Sequence, residues 1–406
     1  MLISSDGLRR CRRLVLLALV GSLGGCLAFP SAGTRATVSS LHEQDAPAPV
    51  RSAAPAAPAS PHPSAPPSEN RTATQPLDDA LNRAEQASII QLSMPDLSGR
   101  AASAPVYAAA VPVADVRQQP TGPARLGEHD ELQETQLIYG ERVRVVAVSG
   151  PWAFIEALEQ PEYTHRNAWH GYPGWVPAGS LHPAQRLRPP NAIVVEKWAV
   201  VWADPEGTMP QLHVPLGARL AVEPSHRTLL KVQLADETVG WISQGAIDWI
   251  DQLKRRNLTG RRAAVLSAAE RFLGDVYFWG GRSPASDRPS RQVTGIDCSG
   301  LVSLAYRAAG VEVPRDAHEQ WMRARKVTRL EPADLIFLSA PDQPQRIVHV
   351  MLYAGDGWVI EAPGTGQVVR RMRVTERLDH PVEHITPGDR IDKQTISFGS
   401  FLHDMF

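Results

Sequence analysis

The chain is 406 residues long, and its 42 Lys and Arg against 43 Asp and Glu give a formal net charge of -1. That balance, with no basic cluster outside the N-terminus, argues against nucleic acid as a partner. The length accommodates three small domains, and the thirteen histidines show no zinc-ligand spacing, so neither a metal nor a cofactor is expected.

At the N-terminus, Arg9, Arg10, Arg12 and Arg13 precede an apolar run from Leu14 to Leu23 that is too short to span a bilayer and ends in Leu23-Gly24-Gly25-Cys26. The segment 1–25 resembles a lipoprotein signal peptide, with Cys26 as the lipidated residue. Leu27 rather than aspartate follows, which in a double-membraned bacterium implies the outer membrane. The expected location is therefore the periplasmic side, with a membrane anchor at Cys26. Two other readings stand: a twin-arginine signal at Arg12-Arg13, and a cleaved signal that releases a soluble protein. The next segment, 26–104, is rich in Ala, Pro and Ser, most densely from Ala46 to Pro67. Too few apolar residues are present to bury a core, so a disordered tether is expected. Leu77, Leu81, Ala84, Ala87 and Ser88 have helical spacing and mark at most a short helix.

A weak internal repeat follows, assigned to domains 105–188 and 189–252. Gly140, Val143 and Val145 are echoed by Gly217, Leu220 and Val222, each a glycine leading into alternating apolar residues. Gly174-Trp175-Val176-Pro177 is echoed by Gly240-Trp241-Ile242-Ser243. Short strands between Gly and Pro turns, with no helical period, predict two small β-barrels. Both resemble bacterial SH3-like (SH3b) domains. Gly140 to Gly174 spans 34 residues and Gly217 to Gly240 spans 23, so the first copy carries an insertion, which holds Tyr163, His165, Trp169, His170 and Tyr172. It is either an ordinary exposed loop or a wall of the substrate site.

The remaining domain, 253–406, contains the chemistry. Of three cysteines, Cys11 and Cys26 lie in or beside the export signal, which leaves Cys298 as one free thiol. A small buried hydrophobe is one reading of it. The other is a nucleophile. Leu301, Val302, Leu304, Ala305 and Ala308 recur at helical spacing and Gly310 closes the segment, so Cys298 opens a helix. The free N–H groups and positive dipole end of a helix start favour a thiolate. Downstream, Arg346 to Ala354 reads as a strand, Gly355-Asp356-Gly357 as a turn, and Trp358 to Ala362 as a second strand. Period-two alternation puts His349 on the face of Met351 and Tyr353, and the hairpin brings Glu361 or Trp358 alongside. Nucleophile, base and orienting group would then come from a helix start and two strands. Packing is the competing reading of a single strand histidine.

Six short blocks in order carry a resemblance: Tyr277-Phe278-Trp279-Gly280-Gly281, Asp297-Cys298-Ser299-Gly300-Leu301-Val302, Pro314-Arg315-Asp316, Pro332-Ala333-Asp334-Leu335-Ile336-Phe337, His349-Val350, and Ile360-Glu361-Ala362-Pro363. Residues 258 to 375 resemble the NlpC/P60 cell-wall cysteine peptidases. The resemblance implies a multidomain protein whose α+β papain-like catalytic domain follows two all-β SH3-like barrels and a tether. It implies that Cys298 attacks an amide carbonyl, His349 relays the proton and Glu361 fixes the imidazole tautomer. The third position is more often histidine in the family, and Ala333 stands where Pro-Gly-Asp is usual, a change taken as neutral. Pro- and Ser-rich residues between Gly281 and Gly295 form a loop insertion.

Two SH3b-like domains before such a domain resemble the dipeptidyl-peptidase branch, which cleaves γ-D-glutamyl-diamino acid bonds in cell-wall peptides with a free N-terminal L-Ala. By that resemblance Ser299 and Asp316 hold the substrate amine, Trp279 lines the pocket and Tyr172 closes it. Asp316 is also a suitable N-cap for a helix from Ala317. The expected partners are peptidoglycan-derived peptides, and a monomer is expected. Two alternatives remain, an endopeptidase cutting intact cross-links and a wall-binding lipoprotein with an inactive catalytic domain.

Overall fold

The computed structural model describes residues 104–286 and 293–403. The signal peptide, Cys26, the tether up to 103 and residues 287–292 of the Pro- and Ser-rich insertion lie outside the described residues.

Seven strands come first: β1 (Val106–Ala109), β2 (Val113–Arg117), β3 (Gln133–Ile138), β4 (Arg142–Ser149), β5 (Trp152–Glu162), β6 (His170–Pro177) and β7 (Leu181–Pro183). They pair antiparallel in the order β3-β2-β6-β5-β4-β1-β7. Seven more follow: β8 (Ala192–Val194), β9 (Trp198–Trp202), β10 (Pro210–Pro215), β11 (Arg219–Val222), β12 (Leu229–Gln233), β13 (Val239–Ser243) and β14 (Ile247–Trp249). Their order, β10-β9-β13-β12-β11-β8-β14, is the first order repeated. The weak sequence repeat is thus a repeat of topology. Neither path closes on itself among the described residues, because the short end strands β7 and β14 pair only with β1 and β8. The sheets are open seven-strand paths where closed barrels were expected.

The repeated glycines have a steric reason. A Cβ on Gly174 would lie 2.4 Å from Val116 Cγ1, and one on Gly240 would lie 2.4 Å from Val201 Cγ1. At both places β6 or β13 crosses its neighbour too closely for a side chain. Val116, Leu137, Val143, Ile155 and Val176 fill the first core, and Val201, Leu220, Leu230, Val232 and Ile242 the second.

The C-terminal part has helices α1 (Ile250–Arg255), α2 (Leu258–Glu270), α3 (Cys298–Ala308), α4 (Ala317–Arg323) and α5 (Val374–Leu378). Its strands are β15 (Arg325–Lys326), β16 (Leu335–Ala340), β17 (Gln343–Gly355), β18 (Trp358–Glu361), β19 (Arg370–Arg373), β20 (Arg390–Ile391) and β21 (Gln394–Ser400). The sheet order is β15-β21-β16-β17-β18-β19, with β20 against β21. Strand alternation divides its side chains between two cores. Leu335, Phe337, Val350 and Leu352 pack with Val302, Ala305 and Tyr306 of α3, whereas Ile336, Leu338, Met351 and Tyr353 pack with Val374 and Leu378. Ala333 sits at φ +69°, in the left-handed region. That conformation costs alanine about 1 kcal/mol, while burial of its methyl returns about 0.8 kcal/mol, so the replacement of the usual glycine is close to balanced.

Buried charges join the first sheet to the C-terminal part. Arg282 pairs with Glu141 at 2.8 Å and Arg307 with Glu159 at 2.6 Å. Arg315 donates to Thr135 Oγ1 at 2.7 Å from Nε and to Pro161 O at 3.1 Å from its backbone N–H. Breaking one such buried pair costs about 3–5 kcal/mol, so the two parts are held in one arrangement.

Candidate active site

The nucleophile position is built by a helix cap. Asp297 is the N-cap of α3, and its Oδ1 accepts the Gly300 N–H at 2.6 Å. Capping fixes the first turn, so the next residue, Cys298, is held where the unpaired N–H groups and the helix dipole converge. Cys298 is 8% exposed and opens on a cavity of about 540 Å³. Arg315 reinforces the cap from behind, donating to Asp297 Oδ2 at 2.8 Å and to Ser299 Oγ at 2.9 Å.

His349 arrives on β17, paired with Leu338 of β16, and its Nε2–H donates to Glu361 Oε2 at 2.8 Å. Glu361, the last residue of β18, is fully buried and also accepts from Arg370 Nη2 at 2.8 Å and from Arg377 Nε at 3.3 Å. Burial alone would raise the Glu361 carboxyl, but the hydrogen bond from His349 and the two guanidiniums bring it down to about 2. Burial likewise disfavours a charged imidazole, yet hydrogen bonds to Cys298 and Glu361 raise His349 to about 9. With Nε2 engaged by Glu361, Nδ1 is the nitrogen that serves the thiol. Trp358 is not the partner of His349: it pairs with Gly355 and lies under Arg373, 4.2 Å from the ring centroid.

The opposite wall comes from the first sheet. The Tyr172 hydroxyl donates to Asp316 Oδ2 at 3.0 Å and lies 3.2 Å from Glu134 Oε2. Burial, together with the charges of Asp316 and Glu134, raises that phenol well above its ordinary value. Asp316 holds the N-cap position of α4, but its side chain makes no cap bond and turns to Tyr172 instead. Its enclosed position raises the carboxyl to about 7, against the pull of Arg315. The insertion of the first repeat lies along this wall: Thr164, His165 and Tyr172 line the cavity, and the Thr164 hydroxyl bonds Glu319 of α4. Its other aromatics act as braces, with Tyr163 and Trp169 in ring contact and Arg323 over Trp169 at 3.8 Å. His170 pairs with Glu162.

Of the residues named from sequence, Cys298, Ser299, His349, Asp316, Trp279 and Tyr172 line one cavity, and Glu361 stands behind His349. Ser299 Oγ is engaged by Arg315 and Asp297, and Trp279 is 38% exposed against His129, ring centroids 3.9 Å apart. Sequence reasoning missed Glu134, Tyr277, Glu319 and Arg346, which line the same cavity, and gave Arg315 no role. Arg315 stood in a recognised block. Glu134 lies on a strand of another sheet and had no local signal.

Comparison with known proteins agrees with this architecture. Residues 274–383 match the model of the NlpC/P60 family. A Bacillus cereus protein named gamma-D-glutamyl-L-lysine dipeptidyl-peptidase is 28% identical over 57% of this chain and 67% of its own length. A Bacillus subtilis protein of the same name is 26% identical over 61% of this chain and 78% of its own. The crystal structure of an NlpC/P60 family protein from Bacillus cereus superimposes with a TM-score of 0.58 at 22% identity, covering 73% of this chain and all of that one. That likeness extends the shared fold beyond the matched segment into the sheet-rich N-terminal region. The C-terminal part of this chain, over residues 274–383, thus carries an NlpC/P60 family catalytic domain.

Proposed function

We propose that this protein is a cysteine peptidase that hydrolyses the γ-D-glutamyl to diamino acid bond of peptidoglycan peptides whose N-terminal L-Ala is free. The observation that carries the reading is a single cavity with the Cys298–His349–Glu361 line on one side and the Tyr172–Asp316 pair on the other. The names of the two Bacillus relatives support it.

In this reading the substrate ammonium enters between Asp316 and Glu134, and the γ-carbonyl of D-Glu comes to rest at Cys298. The thiolate sulfur attacks that carbon. The tetrahedral oxyanion is met by N–H groups of the α3 start and by the Tyr277 hydroxyl, which burial keeps protonated. As the C–N bond breaks, His349 gives its proton to the departing amine and leaves a thioester on Cys298. Water, deprotonated by His349, then attacks the thioester and frees the dipeptide and the thiol. An acylated N-terminus would offer Asp316 no ammonium and lose a charge-assisted hydrogen bond worth about 2 kcal/mol, discounted for the partial exposure of the carboxylate.

The two open sheets are read as SH3b-like modules, the first of which supplies the wall that stops the substrate at its N-terminus. A lipid anchor at Cys26, an outer-membrane location and a monomeric state complete the proposal and rest on the sequence.

The test is mass spectrometry of L-Ala-γ-D-Glu-meso-diaminopimelate incubated with the protein, beside its N-acetylated form and a Cys298→Ala variant. Release of L-Ala-D-Glu from the free-amine peptide alone, and only with the thiol present, is the expected result. Equal cleavage of the acetylated peptide would overturn the amine pocket, and no cleavage of either would overturn the peptidase reading.

A further inference from the structure

The basic side chains that line the cavity are nearly all committed. Arg377 donates to Glu361, His165 pairs with Glu162 at 3.1 Å and Glu134 at 3.5 Å, and His349 bonds Glu361. The His318 ring is stacked on Trp321 at 5.6 Å and its Nδ1 accepts the Ile347 N–H at 3.4 Å. Arg346 is the exception: it lines the cavity, is exposed, and its side chain has no hydrogen bond or ion pair among the described residues.

The backbone places it there deliberately. Along β16 and β17 the register runs Leu338 to His349, Ser339 to Ile347, then Ala340 to Gln343. Pro344, Gln345 and Arg346 therefore have no partner on β16, and Val348 is a further extra residue beside His349. Such irregularities bend a strand and redirect its side chains, and they gather next to active sites. Here the bulged stretch carries a guanidinium to the cavity rim three positions before the histidine.

The chemistry fixes which half of the substrate meets it. His349 must reach the departing nitrogen to protonate it, so the leaving residue lies on the β17 side of Cys298, while the acyl half runs toward Asp316. We infer that Arg346 binds a carboxylate of the residue released, an assignment that rests on the peptidase reading above. Guanidinium and carboxylate match as planar, two-point partners. Two carboxylates are available in diaminopimelate, the α-carboxylate and the one at the far end of the side chain, and lysine has only the first. The relatives named for lysine make that contrast the informative one.

The experiment measures kcat and KM for wild type, Arg346→Gln and Arg346→Lys on three peptides. These are L-Ala-γ-D-Glu-meso-diaminopimelate, its form amidated at the α-carboxyl, and L-Ala-γ-D-Glu-L-Lys. Arg346→Gln is expected to raise KM for the diaminopimelate peptide about tenfold, the scale of one exposed charge-assisted contact, with partial retention in Arg346→Lys. A loss confined to the diaminopimelate-to-lysine ratio assigns the side-chain carboxylate, and a loss in the ratio of free to amidated peptide assigns the α-carboxylate. Equal scaling of all three peptides, or no change in any, overturns the inference and leaves the peptidase reading intact. Failure of wild type to cleave any of the three overturns both.

Discussion

Replacing Glu361 by glutamine removes a charge to which four hydrogen bonds converge, one from His349, two from Arg370 and one from Arg377. The rise of His349 from 6.5 to about 9 corresponds to about 3 kcal/mol in favour of the imidazolium. Burial works against that charge, so Cys298 and Glu361 supply all of the rise. Glutamine keeps an acceptor of similar shape but exchanges a charge-assisted bond for a neutral one of roughly half the strength. It also leaves Arg370 and Arg377 facing the ring without a counter-charge. The alkaline limit of His349 as an acid should therefore fall by about one pH unit or more, to about 8. The assay is kcat/KM on the free-amine tripeptide from pH 6 to 10, expressed as the ratio of Glu361→Gln to wild type, in which titration of the substrate cancels. The ratio should decline above pH 7 and reach a further loss of about tenfold between the two limits. A ratio that stays flat across the range, however low, would show that Glu361 does not act through the proton affinity of His349.

Three further expectations concern other parts of the molecule. Asp316 has its carboxyl raised from 3.8 to about 7, so its ionisation opposes folding: its contribution is fully favourable below pH 4 and is lost as pH rises through 7. Asp316→Asn should raise the melting temperature at pH 8 and leave it unchanged at pH 4, while abolishing the preference for a free N-terminus over an acetylated one. Tyr172→Phe removes the hydroxyl that bonds Asp316 at 3.0 Å, and should raise KM for the free-amine peptide about tenfold with a smaller effect on kcat, read by steady-state kinetics. Gly174→Ala places a methyl 2.4 Å from Val116 Cγ1 and should lower stability by about 1–3 kcal/mol in urea titrations.

Much of the C-terminal part is legible in sequence because its determinants are local. The start of α3 follows from Asp297 as a cap and from apolar residues at helical spacing, and the β17–β18 hairpin follows from Gly355-Asp356-Gly357, all three of which take positive φ. Pairing across that hairpin then leaves only Glu361 or Trp358 to meet His349. The first-sheet wall is harder. Tyr172 entered as one aromatic among several in an insertion, because its bond to Asp316 joins positions 144 residues apart, and Glu134, 38 residues before Tyr172, carried no local signal. The side-chain role of Asp316 was ambiguous for a different reason. A carboxylate at an N-cap position ordinarily bonds its own helix, and only the tertiary arrangement shows it turned toward a phenol. Arg346 was invisible because bulges depend on how two strands disagree in length, which neither strand states alone.

Arg315 has a meaning that reaches past the geometry of one cap. One fully buried residue bonds Thr135 through its side chain and Pro161 through its backbone N–H, both in the first sheet, and its guanidinium also holds Asp297 and Ser299 at the start of α3. Shortened forms of this chain that begin after the first sheet would retain thiol, imidazole and Arg315, but lose the Thr135 and Pro161 bonds that fix Arg315 behind the first turn of α3. Loss of the first sheet is then expected to lower activity together with selectivity, rather than to liberate a freer and less discriminating form.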